Sequence, residues 1–144
     1  MELVFVVDTN EVFSAIIAKG RGLQTKKLDI LFSDKIALFA PDFLFKELRK
    51  TKNLNDLKSK SGFSDNDIEV FIKILELRIK KVSDKDLAEK FAEAESISTH
   101  SKDTLYFAAA LKLNCPIWSG EKRLKNQSSV KVFNTKDLVK EYEL

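Results

Sequence analysis

Four carboxylates stand at positions in the chain where they could act together on one ligand. Asp8 ends an apolar run, Glu121 follows another after a turn, and Glu47 and Asp103 fall near the starts of helical patterns. Converging carboxylates repel each other, which raises their pKa values unless a cation neutralises them. Mg²⁺ or Mn²⁺ accepts oxygen ligands and supports phosphodiester hydrolysis. The acids therefore indicate a site for a hard divalent cation.

Histidine and cysteine are too scarce for the common alternatives. His100 and Cys115 are the only residues of their types, which excludes an internal disulfide, a Cys/His zinc cluster and most histidine-based catalysis. No GxGxxG, GxxxxGK[ST] or GxSxG motif occurs, so dinucleotide, P-loop and serine-hydrolase chemistry lack their usual signals. Any metal has to be bound by oxygen.

Length and composition predict one compact domain over residues 1–144, because 44% hydrophobic residues can supply a core. The net charge of +3 is a mild bias that is compatible with a polyanionic partner. The apolar run before Asp8 is too short for a signal-peptide core or a membrane span, and no later stretch is long enough. We expect a cytosolic (cytoplasmic) protein without a membrane segment.

Apolar runs alternate with helical patterns along the chain, which implies a central parallel sheet of four or five strands in an α/β/α arrangement. The polar stretch from Thr51 to Gly62 is either a helix end or a loop, and Ser101 is the expected N-cap of the helix that carries Asp103. Strands are predicted at residues 2–7 and in KIALFAPD, IKKV, CPIWSG and VKVFNT. Helices are predicted at residues 12–18, 23–34, 64–79 and 84–97 and in FLFKELRK, KDTLYFAAALKLN, EKRLKN and TKDLVKEY.

An open parallel sheet binds ligands beyond the carboxyl ends of its strands. Asp8 and Glu121 would face one crevice if their strands are close neighbours. Glu47 and Asp103 could point into the same crevice from the first turns of their helices.

The segments VVDTN, FKEL, KDTLYFAAALKLNCPIWSGEKRL and VKVFNTKDLV, in this order, resemble the PIN-domain family over nearly the whole chain. The resemblance implies a PIN-like fold and an Mg²⁺- or Mn²⁺-dependent ribonuclease. Such enzymes are commonly VapC-type toxins of toxin–antitoxin pairs, and otherwise act in RNA processing or decay. A small antitoxin partner and a homodimer are further implications.

The same resemblance implies the roles of individual residues. Asp8, Glu47, Asp103 and Glu121 would form the catalytic, metal-binding pocket, with Asn10 and Ser119 as polar helpers. Basic residues flank Glu47 and follow Glu121 in the chain, and they are candidate RNA contacts, although such clusters are often only solvated faces. These basic residues are Lys46, Arg49, Lys122 and Arg123.

Each acid also has a structural explanation when it is considered alone. Asp8 can cap a helix, Asp103 complements a helix dipole, Glu47 can pair with Lys50, and Glu121 can belong to a polar turn. Only the joint order of the four acids favours a metal site.

Two departures from the family pattern leave an alternative open. The last acid is Glu121 where most members have Asp, and His100-Ser101 stand where many members have an extra acid. The alternative is a non-catalytic module that binds RNA or protein. A receiver domain is a weaker alternative, because Asp8 is followed by Thr9-Asn10 rather than by a second acid.

Overall fold

A computed structural model describes residues 3–18 and 23–144 of the chain. Its strands are β1 (Leu3–Val7), β2 (Ile36–Pro41), β3 (Ile79–Val82), β4 (Ile117–Trp118) and β5 (Val132–Phe133). They form one sheet of order β3-β2-β1-β4-β5, and every neighbouring pair is parallel. The predicted parallel α/β sheet is confirmed.

The strands are accompanied by helices α1 (Thr9–Ala18), α2 (Leu23–Leu31), α3 (Phe43–Leu48), α4 (Thr51–Ser61), α5 (Asp65–Arg78), α6 (Asp84–Ile97), α7 (Thr104–Leu113) and α8 (Thr135–Tyr142). Short 3₁₀ turns cover Ser101–Asp103 and Lys122–Lys125. Crossovers between parallel strands are right-handed, so the connections from β1 to β3 lie on one face and the α6–α7 connection on the other. None of the helices within residues 3–18 and 23–144 combines the length and the apolar composition that a membrane-spanning helix requires.

The central strand is β1, whose neighbours are β2 and β4. Phe5, Val6 and Val7 are at most 1% exposed, as expected for a strand covered on both faces. The chain leaves β1 toward β2 and leaves β4 toward β5, in opposite directions across the sheet. This switch point is where an open parallel sheet provides a crevice for a ligand.

The polar stretch that had two possible readings is a separate helix, α4. Leu57 is fully buried on its inner side, and Gly62 ends it in the left-handed conformation with φ of 77°. The next helix begins with the expected capping box, in which Ser64 and Asp67 bond each other's backbone N–H groups.

The predicted start of α7 was wrong. Ser101 lies in a 3₁₀ turn, and the side chain of His100 accepts a hydrogen bond from the Lys102 backbone. The α-helix begins only at Thr104, with Asp103 at its boundary. The inner positions Ala108 and Ala109 are fully buried, so the helix approaches the sheet closely.

Several predicted bounds were too generous. The second helix ends at Leu31 rather than at residue 34, β4 and β5 each have two residues, and EKRLKN forms a 3₁₀ turn instead of an α-helix. Residue 2 of the first predicted strand lies outside the described residues. These differences leave the order of the elements unchanged.

Candidate active site

A cleft of about 420 Å³ opens at the carboxyl ends of β1 and β4. All four predicted acids line it, together with Asn10 and Arg123. The other lining residues come from α1, α3, α4 and α7 and their flanking turns. They are Thr9, Phe13, Phe43, Asn53, Lys102 and Tyr106.

Asp8 is one of the two buried acids of the cleft. It follows β1 directly, donates its backbone N–H to the Trp118 carbonyl over 3.1 Å, and is 8% exposed. Its Oδ2 accepts a 2.7 Å hydrogen bond from the Ser119 hydroxyl. Burial raises the pKa of Asp8 to about 6, and nearby Glu11 and Glu121 add to the rise while Ser119 opposes it. A carboxylate in this environment gains from a nearby cation.

Ser119 and Asn10 connect Asp8 to Glu121. The Ser119 hydroxyl accepts a 3.1 Å hydrogen bond from the Glu121 backbone N–H, and Asn10 donates to Glu121 Oε1 over 2.7 Å. The two predicted polar helpers therefore bind the two acids that end neighbouring strands. Their hydrogen bonds fix the orientation of both carboxylates without neutralising them.

Asp103 is buried at 6% exposure and is held by Arg123. The guanidinium donates from Nε to Oδ2 over 2.8 Å and from Nη2 to Oδ1 over 3.0 Å, which is a bidentate pair. Its Nη1 also donates to Glu121 Oε2 over 3.3 Å. The bonds to Asp103 raise the pKa of Arg123, so the guanidinium stays charged.

Glu47 lines the cleft from α3, and its side chain is 16% exposed. Its Oε1 pairs with Lys50 Nζ at 2.7 Å, and the Lys50 side chain is 59% exposed. The Asn53 side chain donates to the Glu47 backbone carbonyl over 2.6 Å, and this hydrogen bond connects α4 to α3. The anticipated Glu47–Lys50 pair exists, and it leaves Glu47 inside the cleft.

Thr9 and Tyr106 form a polar contact in the cleft that sequence reasoning missed. Their hydroxyls are hydrogen-bonded, and burial raises the pKa of Tyr106, so the phenol stays protonated. The Tyr106 ring packs edge-on against Phe43 at 6.3 Å. Helical spacing could have found Tyr106, since it lies three residues after Asp103 and thus on the same helix face.

Glu11 is a second functional candidate that the sequence analysis missed. It is 3% exposed and accepts from Gly120 N over 2.7 Å, from Thr135 Oγ1 over 3.1 Å, and from Lys27 Nζ over 3.1 Å. A Cβ at Gly120 would stand 3.0 Å from Glu11 Oε1. Glu11 thereby holds the loop that carries Glu121. The sequence contained one indication of this role: Glu11 lies three residues after Asp8, a spacing that places both side chains on the same side of a helical turn.

The predicted basic contacts separate into two groups. Arg123 lines the cleft, but Lys46, Arg49 and Lys122 do not. Lys46 approaches Asp42 at 3.6 Å, and Arg49 pairs with two acids of α5, Glu69 at 3.1 Å and Glu76 at 2.6 Å. Lys122 is exposed. Lys102, which the sequence did not single out, lines the cleft instead.

The cleft has the donor chemistry of a hard-cation site, since its four carboxylates and the Asn10 amide supply only oxygen ligands. In the described part of the chain, however, no three acidic, histidine or cysteine side chains are spaced to hold an ion. Three of the acids are already paired with basic side chains. Arg123 pairs with Asp103 and Glu121, and Lys50 pairs with Glu47. These residues fit a divalent ion in type, and side chains must rotate to bind it.

The chain is similar to known proteins in its sequence pattern and in its fold. A family model described as PIN domain matches residues 6–141, whereas no curated protein matches the sequence significantly. The fold is similar to that of a chain in the crystal structure of VapBC2 from Rickettsia felis bound to a DNA fragment from their promoter. That similarity has a TM-score of 0.61 and 16% identity, and covers 92% of this chain and 98% of the other. Since the family model spans nearly the whole sequence, the chain belongs to the PIN domain family.

Proposed function

We propose that the protein is a metal-dependent endoribonuclease that hydrolyses RNA phosphodiester bonds in the cytoplasm. The observation that carries this proposal is the convergence of Asp8, Glu47, Asp103 and Glu121 on one cleft at the switch point of the sheet. The burial that raises the pKa of Asp8 supports it, because a bound cation would offset the cost of that charge. Membership in the PIN domain family supports the nuclease class.

In this proposal the four carboxylates hold Mg²⁺ or Mn²⁺. Such an ion supplies a water of lowered pKa and neutralises charge that develops on the phosphate. Ser119 holds Asp8 and Asn10 holds Glu121 by the hydrogen bonds described above. Lys102 and Arg123 place positive charge in the cleft for the RNA backbone. Lys46, Arg49 and Lys122 stay proposed RNA contacts outside it.

The test is cleavage of a mixed single-stranded RNA by purified protein in Mn²⁺, Mg²⁺ or EDTA. We expect cleavage with either metal, none in EDTA, and at least a hundredfold loss in Asp8→Asn, because metal-based charge stabilisation contributes several kcal/mol. Asp34→Asn is the matched control, since Asp34 is an exposed acid before β2. It lies at the amino ends of the strands, opposite to the cleft. Cleavage that persists in EDTA would contradict the proposal.

A second candidate is a non-catalytic PIN-like module that binds RNA or protein. It is favoured by Arg123, which neutralises Asp103 and Glu121 without any metal. This candidate predicts RNA binding that EDTA and Asp8→Asn leave unchanged, measured by fluorescence anisotropy. The nuclease predicts that removing the metal weakens binding.

We also propose that the enzyme is the toxin of a toxin–antitoxin pair, with a small antitoxin protein over the cleft. The support is the family resemblance and the similarity to a chain of the VapBC2 structure. The test is co-expression with the product of the adjacent gene, followed by co-purification and a cleavage assay. A bound small protein that suppresses cleavage is expected, whereas its absence would favour an RNA-processing or decay nuclease.

A homodimer is proposed on the outer face of α5. Val70, Ile74 and Leu77 are 49%, 45% and 89% exposed, and they lie on the helix side opposite to the core. A second copy of the chain is the proposed occupant, because a two-fold axis sets this apolar stripe against its own copy. Light scattering should give a dimer for the natural protein and a monomer for Leu77→Glu.

A further inference from the structure

Arg123 occupies the cleft in the way that a bound cation would. Its two bonds to Asp103 engage both carboxylate oxygens, and its third engages Glu121 Oε2. The other oxygen of Glu121 accepts from Asn10. One side chain of the protein therefore covers two of the four proposed metal ligands.

A divalent ion and this guanidinium cannot both bind these acids at full strength. An ion on Asp103 would stand only a few ångströms from a positive charge that is fixed on the same carboxylate, and like charges at that distance repel strongly. One of the two cations has to leave.

The side chain that can leave is Arg123. Its side chain is 38% exposed, whereas that of Asp103 is 8% exposed. Asp103 is held by its backbone, which donates to the His100 carbonyl over 3.0 Å. Arg123 belongs to a 3₁₀ turn at the rim and can turn its head group into water.

We propose that Arg123 is a built-in competitor for the divalent ion, so that metal binds only when the guanidinium moves off Asp103 and Glu121. The inference rests on the proposed function, because it concerns the same cleft and the same ion. The affinity for the metal then depends on the exchange of the Arg123 guanidinium for the divalent ion, and not on the carboxylates alone.

The test is Mn²⁺ binding by isothermal titration calorimetry to the natural protein and to Arg123→Gln. We expect the dissociation constant of Arg123→Gln to be lower by about tenfold or more, since a charge-assisted bidentate pair no longer has to be broken. Lys131→Gln is the control, because it also removes one positive charge. Lys131 is exposed and precedes β5, so it lies at the amino ends of the strands, away from the cleft. The dissociation constant of Lys131→Gln should equal that of the natural protein.

Thermal unfolding distinguishes an Arg123 that competes with the metal ion from an Arg123 that only stabilises the fold. Arg123→Gln should unfold at a lower temperature than the natural protein in EDTA, because Asp103 is left without its partner. In Mn²⁺ its unfolding temperature should rise by more than that of the natural protein. A purely structural Arg123 would lower stability without any gain in metal affinity.

Arg123→Lys keeps the charge but loses the bidentate geometry. Its dissociation constant for Mn²⁺ should lie between those of the natural protein and Arg123→Gln, and it carries the comparison if Arg123→Gln fails to fold. Equal Mn²⁺ affinities in the natural protein and the folded Arg123 variants would overturn the competition and leave the proposed metal site standing. Absence of Mn²⁺ binding in all of them would overturn both.

Discussion

Asp8 and Asp103 are both buried aspartates of the same cleft, at 8% and 6% exposure, yet their charges are compensated differently. Asp8 accepts a hydroxyl hydrogen bond from Ser119 and forms no direct ion pair in the described part of the chain, and the Arg123 guanidinium acts on it only at longer range. Asp103 receives a full guanidinium fork. Asp8 therefore lacks a directly bonded counter-charge, whereas Asp103 has one. Equal burial of two carboxylates therefore does not imply that both are equally available to a cation.

The first prediction is that the two aspartates contribute equally to RNA cleavage. Asp8→Asn and Asp103→Asn should each lower the single-turnover rate of RNA cleavage by at least about a hundredfold in Mn²⁺, because each removes one charged ligand. Quenched-flow cleavage of a labelled RNA measures both rates. If only Asp8→Asn loses activity, Asp103 serves to hold Arg123 rather than a metal.

A second prediction concerns Glu11, whose buried carboxylate holds the loop that carries Glu121. Glu11→Ala should lower the free energy of unfolding by about 3–5 kcal/mol, because Lys27 and Thr135 lose a buried charged partner. Urea unfolding measures the change. Glu11→Gln keeps the shape and is the matched control, with a smaller loss. A negligible loss in Glu11→Ala would mean that water replaces the carboxylate.

The raised pKa of Asp8 predicts a pH dependence of stability. Between pH 4 and 6 the folded state binds the Asp8 proton more tightly than the unfolded state does, so this group lowers stability as the pH rises. Asp8→Asn should remove a cost of up to about 3 kcal/mol at pH 7 and almost none at pH 4. Urea unfolding in EDTA at both values measures it. Equal differences at the two pH values would exclude this cause.

The weakest effect on stability is expected at Glu47, the acid of the cleft that α3 carries. Glu47→Gln should change the free energy of unfolding by no more than about 1 kcal/mol, since its partner Lys50 is largely exposed. Thermal unfolding measures the change, with Lys50→Gln as the matched variant. A larger loss in Glu47→Gln than in Lys50→Gln would show that Glu47 has contacts beyond this pair.

The order of elements and the convergence of acids were predictable because both follow from patterns along the chain. The strand before Asp8 and the strand before Glu121 could be read from their apolar runs, and parallel strands end at one edge of a sheet. The partners of these acids were less accessible. Arg123 was singled out only for RNA, because its bond to Asp103 spans 20 residues and depends on how a 3₁₀ turn is placed.

Glu11 was missed, and the stretch that forms α4 was left open between a helix end and a loop, for different reasons. Glu11 has the sequence of an ordinary helical acid, and only its burial against Gly120 and Thr135 distinguishes it. The sequence of α4 is polar at most positions, so a hydrophobic pattern gives little signal, and the helix depends on Leu57 and on its Gly62 cap. Both cases are decided by contacts between distant segments.

Trp118 gives the cleft an optical reporter. It is the only tryptophan, fully buried, and its indole N–H donates to Thr135 Oγ1 over 3.1 Å. Thr135 in turn donates to Glu11, which holds Gly120 beside Glu121. All indole fluorescence therefore comes from one emitter, two hydrogen bonds away from Glu11. Its emission wavelength and lifetime can follow movement of the Glu121 loop without an attached dye.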